Sequence, residues 1–146
     1  MTPTRARSRN GSSLRVLDLF SGIGGFSLGL ERAGMRTVAF CEIEPFCQAV
    51  LRKHWPGVPI FEDVRKLTAS DISEPIDVIC GGFPCQPFSS AGKRGGTEDD
   101  RYLWPEMLRV IREVRPTWVV AENVDGLTLG EMVPVFLNVL SEMEGE

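Results

Sequence analysis

From Leu14 onward the chain alternates between two kinds of hydrophobic spacing. Short apolar or β-branched runs, bounded by Gly, Pro or Asp, are separated by longer stretches whose apolar residues recur at helical intervals. The pattern predicts a first strand at RVLDLF (15–20), then the glycine-rich SGIGG and a helix from Phe26 to Ala33 that Gly34 terminates. RTVAFCE (36–42) reads as strand two. Pro45 and Pro56 bracket a second helix, EPFCQAVLRKHW, with Phe46, Val50 and Leu51 as its apolar face. VPIFED gives a short third strand, and IDVICGG (76–82) is the near-continuous apolar run expected of a central parallel strand. A long Gly, Ser and Pro-rich loop, FPCQPFSSAGKRGGTEDD, follows it; loops of this length inside compact domains are usually functional or disordered. Helix RYLWPEMLRVIREV, beginning near Tyr102, precedes strand five, TWVVAE (117–122). A last helix carries Val133, Phe136, Leu137 and Leu140, with Pro134 in its first turn or kinking it. Strands alternating with helices predict an α/β fold, an open, doubly wound, Rossmann-like parallel sheet of order 3-2-1-4-5 that binds ligands beyond the carboxyl ends of its strands.

Composition narrows the setting. With 146 residues, 42% hydrophobic and 25% charged, the chain is ordinary for one globular domain, assigned from residue 14 to the end. No apolar run approaches the ~18 residues of a membrane span. Cysteines 41, 47, 80 and 85 contain no C-x-x-C pair and are too few for a disulfide framework, which points to reduced thiols in the cytoplasm. Residues 1–13 hold Arg5, Arg7 and Arg9 without an acid or an apolar stretch, so they read as a flexible basic tail, with a phosphate-binding arm as the alternative. Taking those three charges from the chain's −4 leaves the remainder at −7. Nucleic-acid contact must then be local, or made by something this chain lacks.

The fold rule selects the residues at the strand ends. Strand one runs into Phe20-Ser21-Gly22-Ile23-Gly24-Gly25, and Glu42 ends strand two. A glycine turn before a helix, with a carboxylate about 20 residues on, is the layout of an adenosine-type cofactor site, the acid accepting from ribose hydroxyls. Ser27 stands where G-x-G-x-x-G requires its third glycine, so this signal is generic. Asp63, at the end of strand three, fits an acceptor for an exocyclic amino group; a solvated loop acid is the other reading. Cys41 and Cys80 fall inside strands and read as small buried hydrophobes. Neither Cys47 nor the lone His54 has a partner in metal-ligand spacing, so no metal site is expected. Cys85 lies between prolines in the polar loop, where a thiol can be exposed with its angle of attack fixed. It has no adjacent histidine to act as base, which suits conjugate addition, with an acid such as Glu122 stabilising the charge that develops.

Taken together, VLDLFSGIGGFSLGL, CEIEPFCQAVLRKHWP, EDVRKL, GGFPCQPFSSAGKR, DDRYLWPEM and VVAENV resemble, in order, the first six conserved blocks of the cytosine carbon-5 DNA methyltransferase family. The Pro-Cys-Gln-Pro-Phe-Ser block followed by Glu-Asn-Val is its most specific part. EDV replaces the usual start of the third block but keeps Asp63, and Ser89-Ser90 is closer to bacterial modification enzymes than to the transfer-RNA branch. The resemblance implies that Cys85 adds to carbon 6 of a flipped-out cytosine in double-stranded DNA. It implies that Glu122 engages ring nitrogen 3 and the exocyclic amine, that Asn123 helps hold the Cys85 loop, and that carbon 5 takes a methyl group from S-adenosylmethionine. By position in the matching blocks, the cofactor would contact Phe20, Gly22, Ile23, Gly24, Glu42, Ile43, Asp63, Val64, Pro84 and Leu103. Lys93 and Arg94 would meet phosphates, or else lie on a solvated loop.

The resemblance further implies a bacterial, cytoplasmic, nucleoid-associated enzyme of restriction-modification type. The family's later blocks, which supply a substrate-contacting arginine, target recognition and a returning helix, have no counterpart here. The chain thus reads as a partial cofactor-binding and catalytic domain, incomplete at its C-terminal side: a truncated gene product, or half of a split enzyme awaiting a complementing subunit. The alternative is an inactive S-adenosylmethionine-binding remnant or interaction module.

Overall fold

The computed structural model describes residues 11–84, 102–123 and 133–145. Five parallel strands, β1 (Arg15–Leu19), β2 (Arg36–Cys41), β3 (Ile60–Phe61), β4 (Val78–Gly82) and β5 (Trp118–Glu122), form one sheet of order β3-β2-β1-β4-β5. Helices α1 (Gly25–Arg32), α2 (Pro45–His54), α3 (Trp104–Val114) and α4 (Val133–Glu144) alternate with them. The predicted topology holds. Pro134 is the second residue of α4, within the first turn where a missing N–H costs nothing. The side chains of 133, 135 and 136 lie outside the described residues, as do the N-terminal arginines and residues 85–101 with Cys85, Ser89, Ser90, Lys93 and Arg94.

Both faces of the sheet are covered at its centre, which is why β1 and β4 are apolar on successive residues. On one face Val16, Val78 and Cys80 pack beneath Phe26 and Leu30 of α1. On the other, Leu17, Leu19 and Ile79 meet Trp104, Met107, Leu108 and Ile111 of α3 and Val139 of α4. The Trp104 indole N–H donates to Glu142 Oε2 at 2.7 Å, tying the start of α3 to the end of α4. Cys41 and Cys80 are buried as expected, and desolvation pushes the Cys41 thiol up to about 12 and Cys80 well above its ordinary value.

Two elements differ from the sequence expectation. β3 is two residues long rather than six. Pro59 offers a carbonyl to Phe40 N–H but has no N–H to return, and beyond Phe61 the chain turns so that Lys66 and Leu67 donate to Asp63 O. In α2 the buried residues are Gln48 and Leu51, while Phe46 is 74% exposed. Phe46 and Gln48 are two positions apart, about 200° around a helix, so burying one turns the other to solvent. The Gln48 side-chain amide donates to Glu42 O at 2.7 Å, and that hydrogen bond sets the helix phase against the hydrophobic pattern.

Candidate active site at the carboxyl rim

The site starts where β1 stops. Phe20 leaves the strand at φ 53, an uncommon conformation for a residue with a side chain, and Gly22 and Gly24 follow at φ 54 and φ 89. Ser21 Oγ donates to Asp18 O at 2.6 Å and Gly24 N–H to Ser21 O at 2.9 Å, which closes the turn and aims Gly22 N–H outward. Gly24 is required twice over. It holds the left-handed N-cap of α1, and a Cβ there would lie 2.6 Å from the Trp55 ring.

Glu42, just past β2, receives that turn. Its Oε2 accepts Gly22 N–H at 2.6 Å and its Oε1 accepts Glu44 N–H at 2.8 Å, with only 8% of the residue exposed. A carboxylate offers about four acceptor sites, so these two bonds fix its orientation and leave capacity for two hydroxyl donors. Asp63 is held by its own neighbour: the backbone N–H and the Nε of Arg65 each donate to Oδ1 at 3.0 Å. Those bonds, the backbone one foremost, keep its carboxyl below the usual carboxylate range.

Between these groups lies a cleft of about 410 Å³, within the size range of small-ligand sites. Phe20, Glu42, Ile43, Asp63, Val64, Pro84 and Leu103 line it, together with Cys41, Glu44, Glu62, Arg65 and Gly82. Gly22 reaches it through the N–H it gives Glu42. Ile23, 60% exposed, and Gly24 do not line its wall. The lining carries four acids and one arginine.

On the far side, β4 and β5 end level with each other, Gly82 opposite Glu122. A Cβ on Gly82 would stand 2.6 Å from Glu122 Oε2, so the missing side chain is what lets the carboxylate lie across the end of β4. Asn123 Nδ2 donates to Phe83 O at 3.0 Å, which ties the end of β5 to the backbone that leads through Pro84 to Cys85. Among the described residues no cluster of His, Cys, Asp or Glu could hold a metal ion, and no helix is long and apolar enough to cross a membrane.

A parallel sheet with this rim agrees with a family-model match over residues 14–146, described as C-5 cytosine-specific DNA methylase. The chain belongs to that family. It is 39% identical over 136 residues to the type II methyltransferase M.PspPI of Psychrobacter sp. (strain TA137), covering 90% of this chain and 33% of that protein. It is 40% identical over 133 residues to M.Eco47II of Escherichia coli, covering 88% and 32%. Among solved structures, an E. coli prophage protein assigned as a DNA modification methyltransferase superimposes with a TM-score of 0.77 at 32% identity, covering 92% of this chain and 38% of that one. The DNMT2 of Spodoptera frugiperda gives a TM-score of 0.66 at 26% identity, covering 89% and 41%. The chain thus spans about a third of the length of these two curated relatives.

Three residues at this rim escape a reading based on strand ends alone. Asp18 is fully buried in β1, with Oδ2 accepting Ser27 Oγ–H at 2.7 Å and Ser27 N–H at 3.3 Å, so a strand side chain supplies the acceptor that the N-terminus of α1 needs. A lone acid within an apolar strand was its signal. Gln48 and Gly82 act through a helix phase and a strand register, which appear only once the elements are docked.

Proposed function

We propose that this chain forms the cofactor-binding and nucleophile-bearing part of a DNA cytosine carbon-5 methyltransferase. One observation carries the reading: the Glu42 and Asp63 acceptors, the Gly82–Glu122 contact and the Asn123–Phe83 tie meet at one edge of one sheet, flanking a single cleft. The cleft fits S-adenosylmethionine in both charge and donor demand. Its acidic lining suits a sulfonium cation, and the two acceptor positions left on Glu42 suit a vicinal diol. Phe20, Ile43, Val64 and Leu103 offer apolar surface for a purine, with Asp63 for its amino group. When bound there, S-adenosylmethionine supplies the methyl group.

The chain's own residues prepare the base. The substrate is double-stranded DNA with the target cytosine flipped out, because carbons 5 and 6 are inaccessible within the stack. The Cys85 thiolate forms a bond to carbon 6, and the electron pair displaced from the 5,6 double bond makes carbon 5 nucleophilic. Glu122 engages ring nitrogen 3 and the exocyclic amine and so stabilises the electron-rich ring. Asn123 holds the backbone before Cys85 through Phe83 O. After carbon 5 is methylated, its proton passes to water, the C–H electron pair re-forms the 5,6 double bond, and Cys85 leaves carbon 6 as the thiolate. The remaining two-thirds of such an enzyme, in the same polypeptide or a complementing subunit, would supply target recognition.

DNA containing 5-fluorocytosine tests the assignment, since fluorine at carbon 5 blocks the final proton loss. Incubated with S-adenosylmethionine and the complementing portion of a relative, the chain should yield a covalent adduct on Cys85 that Cys85→Ser abolishes and Cys41→Ser does not. An adduct mapped by mass spectrometry to Cys47 or Cys80 would refute it.

A further inference from the structure

The segment after β3 brings Asp63 and Val64 to the cleft, yet it belongs to neither a strand nor a long helix. Its own hydrogen bonds are local, with Lys66 and Leu67 N–H sharing Asp63 O at 3.0 and 3.2 Å and Arg65 N–H on Asp63 Oδ1, while the Val64 and Leu67 side chains are buried in the core. Burial of those two side chains holds the segment down but leaves the orientation of its backbone groups to polar partners. Those come from α3. Arg109 Nη2 donates to Val64 O at 2.7 Å and Nη1 to Leu67 O at 3.0 Å, while Nε meets Glu106 Oε2 at 2.9 Å and Nη1 also meets Glu113 Oε1 at 2.7 Å. The second oxygen of Glu113 accepts Ala69 N–H at 3.2 Å. Three backbone groups between Val64 and Ala69 are thereby held by one pair of side chains on α3.

We propose that Arg109 is a positioning residue for the cofactor. By gripping the Val64 and Leu67 carbonyls it fixes the angle at which Asp63 and Val64 face the ligand. This inference rests on reading the cleft as the S-adenosylmethionine site. The chemistry requires arginine: four hydrogen bonds to four separate acceptors leave from one rigid, planar fork, which a lysine ammonium on a flexible stem cannot reproduce. Partial burial opposes the charge, but the paired carboxylates of Glu113 and Glu106 hold the guanidinium above its ordinary value. The helix α3 has its own anchors in the core, Trp104, Met107, Leu108, Val110 and Ile111. Arg109 sits in the middle of α3, whose N-terminal flanking residue Leu103 lines the same cleft, so a single helix braces two of its walls.

Arg109→Met and Arg109→Lys in the full chain, read by amide hydrogen exchange and by S-adenosylmethionine titration, test the role. Arg109→Met should accelerate exchange at Lys66 and Leu67 about tenfold, leave β1 and β4 amides unchanged, and weaken cofactor binding about tenfold; Arg109→Lys should fall between. Acceleration spread evenly over β1 and β4 would show a merely structural residue and overturn the proposal. Unchanged exchange at 66 and 67, or faster exchange with unaltered affinity, would overturn it as well. Failure of the unaltered chain to bind the cofactor would instead refute the reading of the cleft, and exchange would still decide whether Arg109 holds the turn.

Discussion

Replacing Asp18 by Asn should change how stability depends on pH, by an amount the structure sets. The carboxyl is fully buried; Oδ2 is bonded to Ser27, whereas Oδ1 has no hydrogen-bond partner among the described residues and the neighbouring Cys80 thiol is at best a weak donor. Burial pushes the group up to about 6, against the bonds from Ser27 and Cys80, with the charge of Glu42 adding to the rise. Because this value lies above the unfolded one, the native state holds the extra proton between them. Its stabilising contribution is complete below about pH 3.8 and is lost as pH rises through about 6. At 1.36 kcal/mol per pH unit, that interval corresponds to about 3 kcal/mol. Asp63, Glu74, Asp77 and Glu113 work in the opposite direction, since their carboxyls are held low and their stabilisation fades on acidification, so the whole-protein curve masks Asp18. The variant isolates it. Asn keeps an acceptor for Ser27 and cannot ionise, so the stability of Asp18→Asn relative to the parent should improve by about 2 kcal/mol between pH 4 and pH 7.5, part of the interval being already spent at pH 4. Urea unfolding followed by tryptophan fluorescence across that range measures this difference. A difference that stays constant within about 0.5 kcal/mol would refute the burial argument.

Two further substitutions probe the rim and the open edge of the sheet. Gly82→Ala should leave melting nearly unchanged, because the atom it displaces is the flexible end of Glu122, yet it should cut adduct formation about 10²-fold by moving that carboxylate; equal rates in both proteins would separate Glu122 from the chemistry. Trp118 is 62% and Val120 40% exposed on β5, the outer strand of the described sheet, so the chain should self-associate at high concentration and Val120→Lys should reduce that; sedimentation showing the same monomer for both would contradict it.

The sheet topology was more legible in the sequence than the contacts that support the rim. The central strands were legible because β1 and β4 are buried on both faces and so announce themselves as apolar runs, and the parallel sheet they set puts the ends of β2, β3 and β5, with Glu42, Asp63 and Glu122, on one rim. The α2 face was misread because a hydrophobic pattern counts Phe46 as core and gives no weight to Gln48, whose amide outcompetes it for the interior by satisfying Glu42 O. The length of β3 was overestimated because Pro59 and the turn at Asp63 limit pairing from either side. The bracing by Arg109 was not legible, since it joins positions 42 and 45 residues apart that no local spacing relates.

Titration calorimetry of S-adenosylmethionine into the chain and into Glu42→Ala tests the central claim most directly. The parent should bind, and the variant should bind more weakly by ~1 to 3 kcal/mol, the loss expected for a charge-assisted hydrogen bond to the ribose. Equal affinity in the two proteins, or no binding by the parent, would contradict the placement of the cofactor at the rim that Glu42 organises.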